Sequence, residues 1–426
     1  MLRRDLQFSL LAMSVAGALA LGCTGAMSGP QGSSAGSPGT GGAGTGVSGG
    51  AGGAGMIAPA VTSSIGVMPV RRTTRRELTN ALRALFNDPA LTLPTTFPAD
   101  AAGSESGFAQ AATNVSTVDA REFRGAAELI AAKAIQNLER LTGCAGGNVT
   151  DACLATFVKS FARRAYRRPL SDAETSDFTK LYADARAAGS PASEAVGVLV
   201  ESILQSPHLL IKFELGSEHG ELSGDAVSLT RYQLASRLAF FLTGSAPDDA
   251  LNADVDAGKF ATVADVERVA ARYLADQAQI AGAYEDFSVG WLELGRLSGL
   301  HKDATKYPSW DQQTNDDLRS AFSRFVTDVL VQGDGTFKSL LTAPVAFANA
   351  RLAPLYGISQ TGSDLARIQL DPTQRRGLLM QAPFLATTGA EGGSLPPRRG
   401  ERIFKHLLCG ALGAPPAVIP PLPPAD

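Results

Sequence analysis

The chain has 426 residues, of which 44% are hydrophobic and 19% charged, with 45 glycines, 24 prolines and a formal net charge of −3 at pH 7. That length is ample for two or three compact units. The near-neutral balance argues against a nucleic-acid partner, whose phosphates favour a basic stripe.

Arg3 and Arg4 precede an apolar run from Leu6 to Gly22 that closes on Ala20-Leu21-Gly22-Cys23, the order of a bacterial secretion signal ending at a lipidated cysteine. Residues 1–23 therefore read as a lipoprotein-type signal peptide with lipidation at Cys23; a plainly cleaved signal peptide is the alternative. A membrane span is disfavoured, because about 17 residues fall short of the ~20 that cross the hydrocarbon core. Gly, Ser, Ala and Thr dominate residues 24–60, so 24–66 reads as a flexible linker with too little apolar bulk to offset chain entropy. Its GGAGTG, residues 41–46, has no strand before it and no helix after it, and low complexity explains it better than a phosphate loop.

Helix-start signatures recur beyond the linker. Thr74 with Glu77, Ser171 with Glu174, Thr230 with Gln233 and Ser245 with Asp248 have the form of capping boxes, and Asp371-Pro372 offers a further start with proline at the first helical position. Leu229 and Leu234 flank Thr230 as a hydrophobic staple requires. Apolar residues recur at three and four positions in Leu154, Phe157, Val158, Phe161 and Ala165; in Ala195, Val198, Leu199 and Ile203, with Ser202 on the same face; in Leu234, Leu238, Phe241 and Leu242; and in Phe322, Phe325, Val326, Val329 and Leu330. Each set predicts a buried helix face. Sustained alternation bounded by hairpin turns is not found, so the expected fold is all-α.

Breaks in the pattern divide the body. A first helical domain covers 67–140, with a long proline-bearing loop over 87–118; a second covers 141–215, a third 225–358, and a partial C-terminal domain 368–426. The last ends in APPAVIPPLPPAD, which favours polyproline II and is either a free terminus or the lead into a further domain. Cys144 and Cys153 flank a turn-rich loop, GCAGGNVTDAC; outside the cytoplasm a disulfide is expected, with two buried thiols as the alternative. Zinc is disfavoured because no histidine lies near the pair and a closed site wants four ligands.

Four stretches in register resemble a family of exported multidomain proteins, the planctomycete cytochrome and planctomycete surface domains of unknown function. RRTTRRELTNALRALF with the later FPAD and GF resembles its opening domain; CLATFVKSFARRAYRRPLSDAE with ILQSPHLLIKFE resembles the second. LASRLAFFLTGSAPDDAL, the segment around Trp291 and FANARLAPLYGI resemble the third, while RRGLLMQAPFLATT and SLPPRRGERIFKHLLC resemble the start of the cytochrome-labelled part. The resemblance covers most of residues 70–410. Thr243 departs from it, standing where the family usually has Trp, and SLPPRRG replaces a Thr-Ser-Pro pattern. The resemblance implies c-type haem only for a longer version of this chain, since the sequence has no Cys-x-x-Cys-His, and covalent attachment needs both thiols beside a ligating imidazole.

Chemistry-bearing residues are few. His208 sits in Ser-Pro-His-Leu-Leu and is a possible ligand or base, with a structural role as the alternative. His406 lies three residues before Cys409 on an expected helix and is a possible axial ligand in a longer protein; a half-buried histidine at a helix end is the bland alternative. His219 and His301 fall in polar segments. Arg163, Arg164, Arg167 and Arg168 form a possible anion-binding cluster, for a carboxylate or a haem propionate, against the alternative of a solvated face bridging neighbouring elements. Asp248 and Asp249 read as helix-start residues. Serine nucleophile elbows, phosphate loops and paired zinc histidines are absent from the sequence, so no catalytic residue and no metal ligand is assigned.

The expectation is an exported, lipid-anchored helical protein of the periplasm or outer membrane, an accessory or scaffold part of a c-type haem redox protein, with no cofactor on this chain. Its expected partners are the membrane, through the anchor, and a redox or surface protein. The alternative is a cell-surface module binding carbohydrate or a partner protein without redox activity. A hydrolase is the third and weakest reading.

Overall fold

The computed structural model describes residues 70–102, 108–110, 115–216, 222–223 and 226–413; Cys23, the linker, His219 and the proline-rich tail lie outside them. Strand β1 (Arg71–Arg72) and helix α1 (Arg75–Phe86) open the body. A small hairpin of β2 (Ala101–Ala102) and β3 (Ala109–Gln110) precedes α2 (Thr117–Ala134) and the short α3 (Leu138–Thr142). Helices α4 (Asp151–Tyr166), α5 (Asp172–Ala187), α6 (Ala192–Gln205) and α7 (Pro207–Leu210) follow, and β4 (Ile211–Lys212) returns antiparallel to β1 with Arg71 opposite Lys212. A second hairpin, β5 (Leu222–Ser223) and β6 (Ala226–Val227), leads into α8 (Arg231–Thr243), α9 (Asp249–Asp256), α10 (Val263–Ala275) and α11 (Gln277–Trp291). The last part holds α12 (Gln312–Leu330), α13 (Phe337–Thr342), the antiparallel pair β7 (Val345–Ala348) and β8 (Ala366–Gln369), α14 (Ala382–Thr387) and α15 (Pro396–His406). The protein is mainly α-helical, as its sequence pattern predicts.

Side chains at the helix starts explain where the helices begin. Capping boxes form at Thr74, Ser171 and Thr230 as the sequence predicts, and among the described residues three more form at Ser116 with Asp119, Thr262 with Asp265 and Asp311 with Thr314. Ser245 does not cap a helix: Asp248 is itself the N-cap of α9, its carboxylate accepting the Leu251 N–H at 2.8 Å. Pro247 explains the shift, since a residue before proline is pushed out of the helical region. Asp371-Pro372 forms a turn rather than a helix. The chain must there bend back against α13, where Gly377 (φ 66°) donates to the Ala343 carbonyl and would place any Cβ into the Leu341 backbone.

Three apolar cores result. Leu82 of α1, Phe161 of α4 and Leu199 and Ile203 of α6 share the first, so segments 67–140 and 141–215 are packed around one interior. Leu251, Phe260 and Val269 centre the second, beneath α8. The third joins Leu292, Phe322 and Phe325 to β7, Ile368 of β8 and Phe384 of α14, with Ile403 and Leu407 packed against it. The predicted faces of α4 and α12 are buried throughout. On α6 Val198 stands 37% exposed while Ala195, Leu199 and Ile203 are buried, and on α8 half of the expected stripe is corrected: Leu238 and Leu242 pack partly buried against the second core, whereas Leu234 is 37% and Phe241 64% exposed. Ala235, Ala239 and Phe240 face inward instead, because small residues let α8 sit close on its neighbours and leave room for one large ring.

Cys144 and Cys153, nine positions apart in sequence, are joined by a disulfide with Cα atoms 5.9 Å apart. It ties the turn after α3 to the first turn of α4. Closing a loop of that length removes unfolded-state entropy equivalent to about 2–3 kcal/mol. Replacing both cysteines by serine should lower the unfolding free energy by that order, measured by urea denaturation of oxidised protein. An unchanged midpoint would show that the bond contributes nothing to stability.

Candidate functional site

The four arginines around the end of α4 point to four different places. Arg163 reaches Asp256 with Nη2 at 2.6 Å and Asn252 Oδ1 with Nη1 at 2.9 Å, tying α4 to α9. Arg164 lines a cleft described below. Arg167 caps α4 in the left-handed conformation (φ 59°) and is 6% exposed. Its guanidinium donates to the carbonyls of His208 at 2.7 Å, Ile211 at 2.8 Å and Leu209 at 3.2 Å, and burial lowers its pKa to about 10. Arg168 grips Glu174 in a two-pronged pair at 2.7 and 2.9 Å. The four do not converge on one anion.

His208 packs between Tyr166 and Phe213, with centroids 5.0 and 5.4 Å away, and its Nε2 lies 3.3 Å from Arg168 Nη2. Burial and then the neighbouring guanidinium push its pKa down. This imidazole sits beside a filled ion pair. Glu174 carries that pair and also completes the α5 capping box; hydrogen bonds from Arg168 hold its pKa down at about 2.

His406 is 8% exposed at the end of α15. Its Nε2 lies 2.8 Å from Glu293 Oε1, and the other Glu293 oxygen pairs with Arg402. Trp291 Nε1 donates to the His406 carbonyl at 2.6 Å. Glu293 adopts the left-handed conformation (φ 52°). Cys409 lies past the end of α15, exposed and at φ 52°, where the Gly410 N–H closes the helix on the Phe404 carbonyl at 2.8 Å. His301 belongs to the irregular segment before α12. Among the described residues no group of three or more His, Cys, Asp or Glu is arranged to hold a metal.

A cleft of about 510 Å³ opens between the end of α1, the 87–94 loop, the end of α2, α3 and the last turn of α4. Leu85, Leu91, Leu93 and Ile130 are the buried part of its lining. Lys133, Arg140 and Arg164 bring cations to it and Asp88 the one carboxylate. Lys133 Nζ lies 3.0 Å from Asp88, and Arg140 Nη2 donates to the Asn87 carbonyl at 2.8 Å.

Sequence reasoning missed the roles of the opening arginines. Arg72 is buried beside Asp100 at 3.8 Å, and Arg75 holds the loop carbonyls of Phe97 and Pro94, both at 2.6 Å. Arg76 pairs with Asp286 of α11 and lies against Gly244 and Gly282, where a Cβ at Gly282 would come within 2.8 Å of its guanidinium. The charge density of RRTTRRE was the available signal; the partners, up to two hundred positions away, were not.

The matches to protein-family models follow the same order along the chain. Residues 71–136 match PSD3 (DUF1587), 153–214 match PSD5 (DUF1595) and 229–358 match PSD4 (DUF1592), each described as a protein of unknown function. The chain therefore carries three planctomycete-type domains in series, of the kind found in planctomycete cytochrome-like proteins. Nothing among curated proteins or solved structures matches it.

Two consequences of this geometry are measurable. Glu174 has a depressed folded-state pKa, so its contribution is present above the ordinary value of 4.5 and is lost as pH falls from there through about 2. Glu174→Gln keeps a capping side chain but not the charge, and its urea midpoint should fall less than that of the wild type between pH 5 and pH 2.5; parallel losses would refute the coupling.

Arg167→Gly relieves a left-handed backbone yet strands three buried carbonyls, so it should destabilise by about 2–4 kcal/mol. A neutral or stabilised variant in equilibrium unfolding would show that the backbone strain outweighs the bonds.

Proposed function

We propose that this chain is an exported, lipid-anchored helical scaffold, an accessory part of a c-type haem redox assembly. One observation carries the reading. The charged residues of its motifs are committed to ties between distant segments: Arg76 to Asp286, Arg163 to Asp256, Lys212 to Glu77 and Arg167 to the carbonyls of 208–211. Among the described residues they leave no convergent set of nucleophile, base and oxyanion donor of the kind catalysis requires. The three matched domains, of the kind found in cytochrome-like proteins, support the redox association. Electron transfer then belongs to a haem-bearing segment or partner, because the sequence has no Cys-x-x-Cys-His. Export is supported by the Cys144–Cys153 disulfide, and no helix among the described residues is long and apolar enough to cross a membrane. Attachment is assigned to acylated Cys23.

A second reading, a surface module without redox activity that binds a small molecule, is favoured by the cleft. Affinity purification from native membranes separates the two. The scaffold reading expects a haem-staining c-type protein to co-purify in fixed proportion, and expects Cys23→Ser to move the protein from the membrane to the soluble fraction. A native complex without haem would remove the redox association. A Cys23→Ser protein still membrane-bound, with no acyl label on the parent, would remove the anchor.

A further inference from the structure

We infer that the cleft between α1, α2, α3 and α4 is a binding site for an amphipathic carboxylate, a single-chain aliphatic acid whose tail fills the cavity and whose headgroup pairs with Arg164. The inference is independent of the redox reading above.

Size and lining come first. About 510 Å³ lies within the ~300–1,000 Å³ typical of small-molecule sites. Leu85, Leu91, Leu93 and Ile130 form the apolar floor of the cleft with only 5–9% of their surface exposed, and Leu129, which also lines it, is 63% exposed. A hydrocarbon bound in the cleft would take that leucine out of water.

Charge then selects the headgroup. Three cations and one carboxylate line the cleft, and that carboxylate, Asp88, is already held by Lys133. Arg140 donates to a backbone carbonyl and acts on the same Asp88 that Lys133 holds, so two cations share one carboxylate. Arg164 makes no ion pair among the described residues, although Arg163, Arg167 and Arg168 beside it are all engaged by protein acceptors. Its place in the last turn of α4 suits a cation to the negative end of the helix dipole. That accounts for a positive charge there and not for the apolar cavity it borders. A guanidinium next to apolar surface is matched by an oxyanion on an apolar body, and a carboxylate accepts from it in two-pronged fashion. A neutral glycan would leave both the leucines and the excess cations unmatched.

Titration of the full-length protein with cis-parinaric acid, a fluorescent C18 carboxylate, tests this. Saturable one-to-one binding is expected, weakened on the order of tenfold or more in Arg164→Ala, with partial recovery in Arg164→Lys. Ala134→Trp, which fills the cleft from α2, should abolish it. The methyl ester of the probe should bind the wild type on the order of tenfold less well and be insensitive to Arg164; this arm needs no variant. Far-ultraviolet circular dichroism and the urea midpoint confirm that each variant is folded, and Arg124→Ala, outside the cleft, should bind as the wild type does. Equal affinity for acid and ester, or an Arg164→Ala protein that is folded and binds unchanged, overturns the inference. Binding only to anionic phospholipid vesicles and not to monomeric probe would also overturn it, by showing a surface attraction rather than a site.

Discussion

The buried guanidinium of Arg167 is the point at which the parts of this molecule meet. It leaves α4 in a left-handed turn and binds the carbonyls of His208, Leu209 and Ile211. The strand that follows brings Lys212 to Glu77 of α1 at 2.7 Å, while Thr73 donates through N–H and hydroxyl to the Leu210 carbonyl. Arg167 and Lys212 both lie over the ring of Phe240 in α8, 5.6 and 5.4 Å from its centroid. One junction thus joins the first, second and third matched segments. Burying an unpaired guanidinium is costly, and here carbonyl acceptors and an aromatic face offset the lost water. Moving any one of these segments would strand the charge.

Much of this was legible in the sequence where the physics is local. The capping boxes at Thr74, Ser171 and Thr230 need residues three apart, and the buried faces of α4 and α12 need only helical spacing, so both could be read directly. Half of the stripe on α8 departs from its pattern for a related reason: spacing identifies a face, but not how far that face is rotated toward the core. Ala235 and Ala239 win over Leu234 because close helix approach favours small side chains, and that choice depends on neighbours distant in sequence. Ser245 does not cap because Pro247 keeps the preceding residue out of the helical region, and the cap passes to Asp248. The candidate sites were the least legible part. Four arginines in six positions suggested one anion site, yet the α4 twist and its left-handed end send them to Asp256, the cleft, the 208–211 carbonyls and Glu174.

The same geometry explains why histidines that looked like ligands are occupied by the protein. His208 lies between two tilted rings beside an ion pair already closed by Glu174. His406 is bound through Nε2 to a carboxylate that also holds Arg402. In both cases the imidazole completes a contact between segments far apart in sequence, the use made of Arg76 and Arg163 as well. A protein whose motifs are conspicuous in charge and poor in convergent chemistry is one whose motifs secure its shape.

Glu293 carries that logic to the last helix. A non-glycine residue at φ 52° is disfavoured by about 1–2 kcal/mol, and it is held there because its two carboxylate oxygens meet His406 and Arg402 of α15 while Trp291, two positions earlier, grips the His406 carbonyl. The turn after α11 and the seating of α15 therefore stabilise each other. Ile403 and Leu407 pack on the third core, but apolar contact alone would tolerate rotation of a short helix about its axis. Three polar bonds to one strained turn fix its angle.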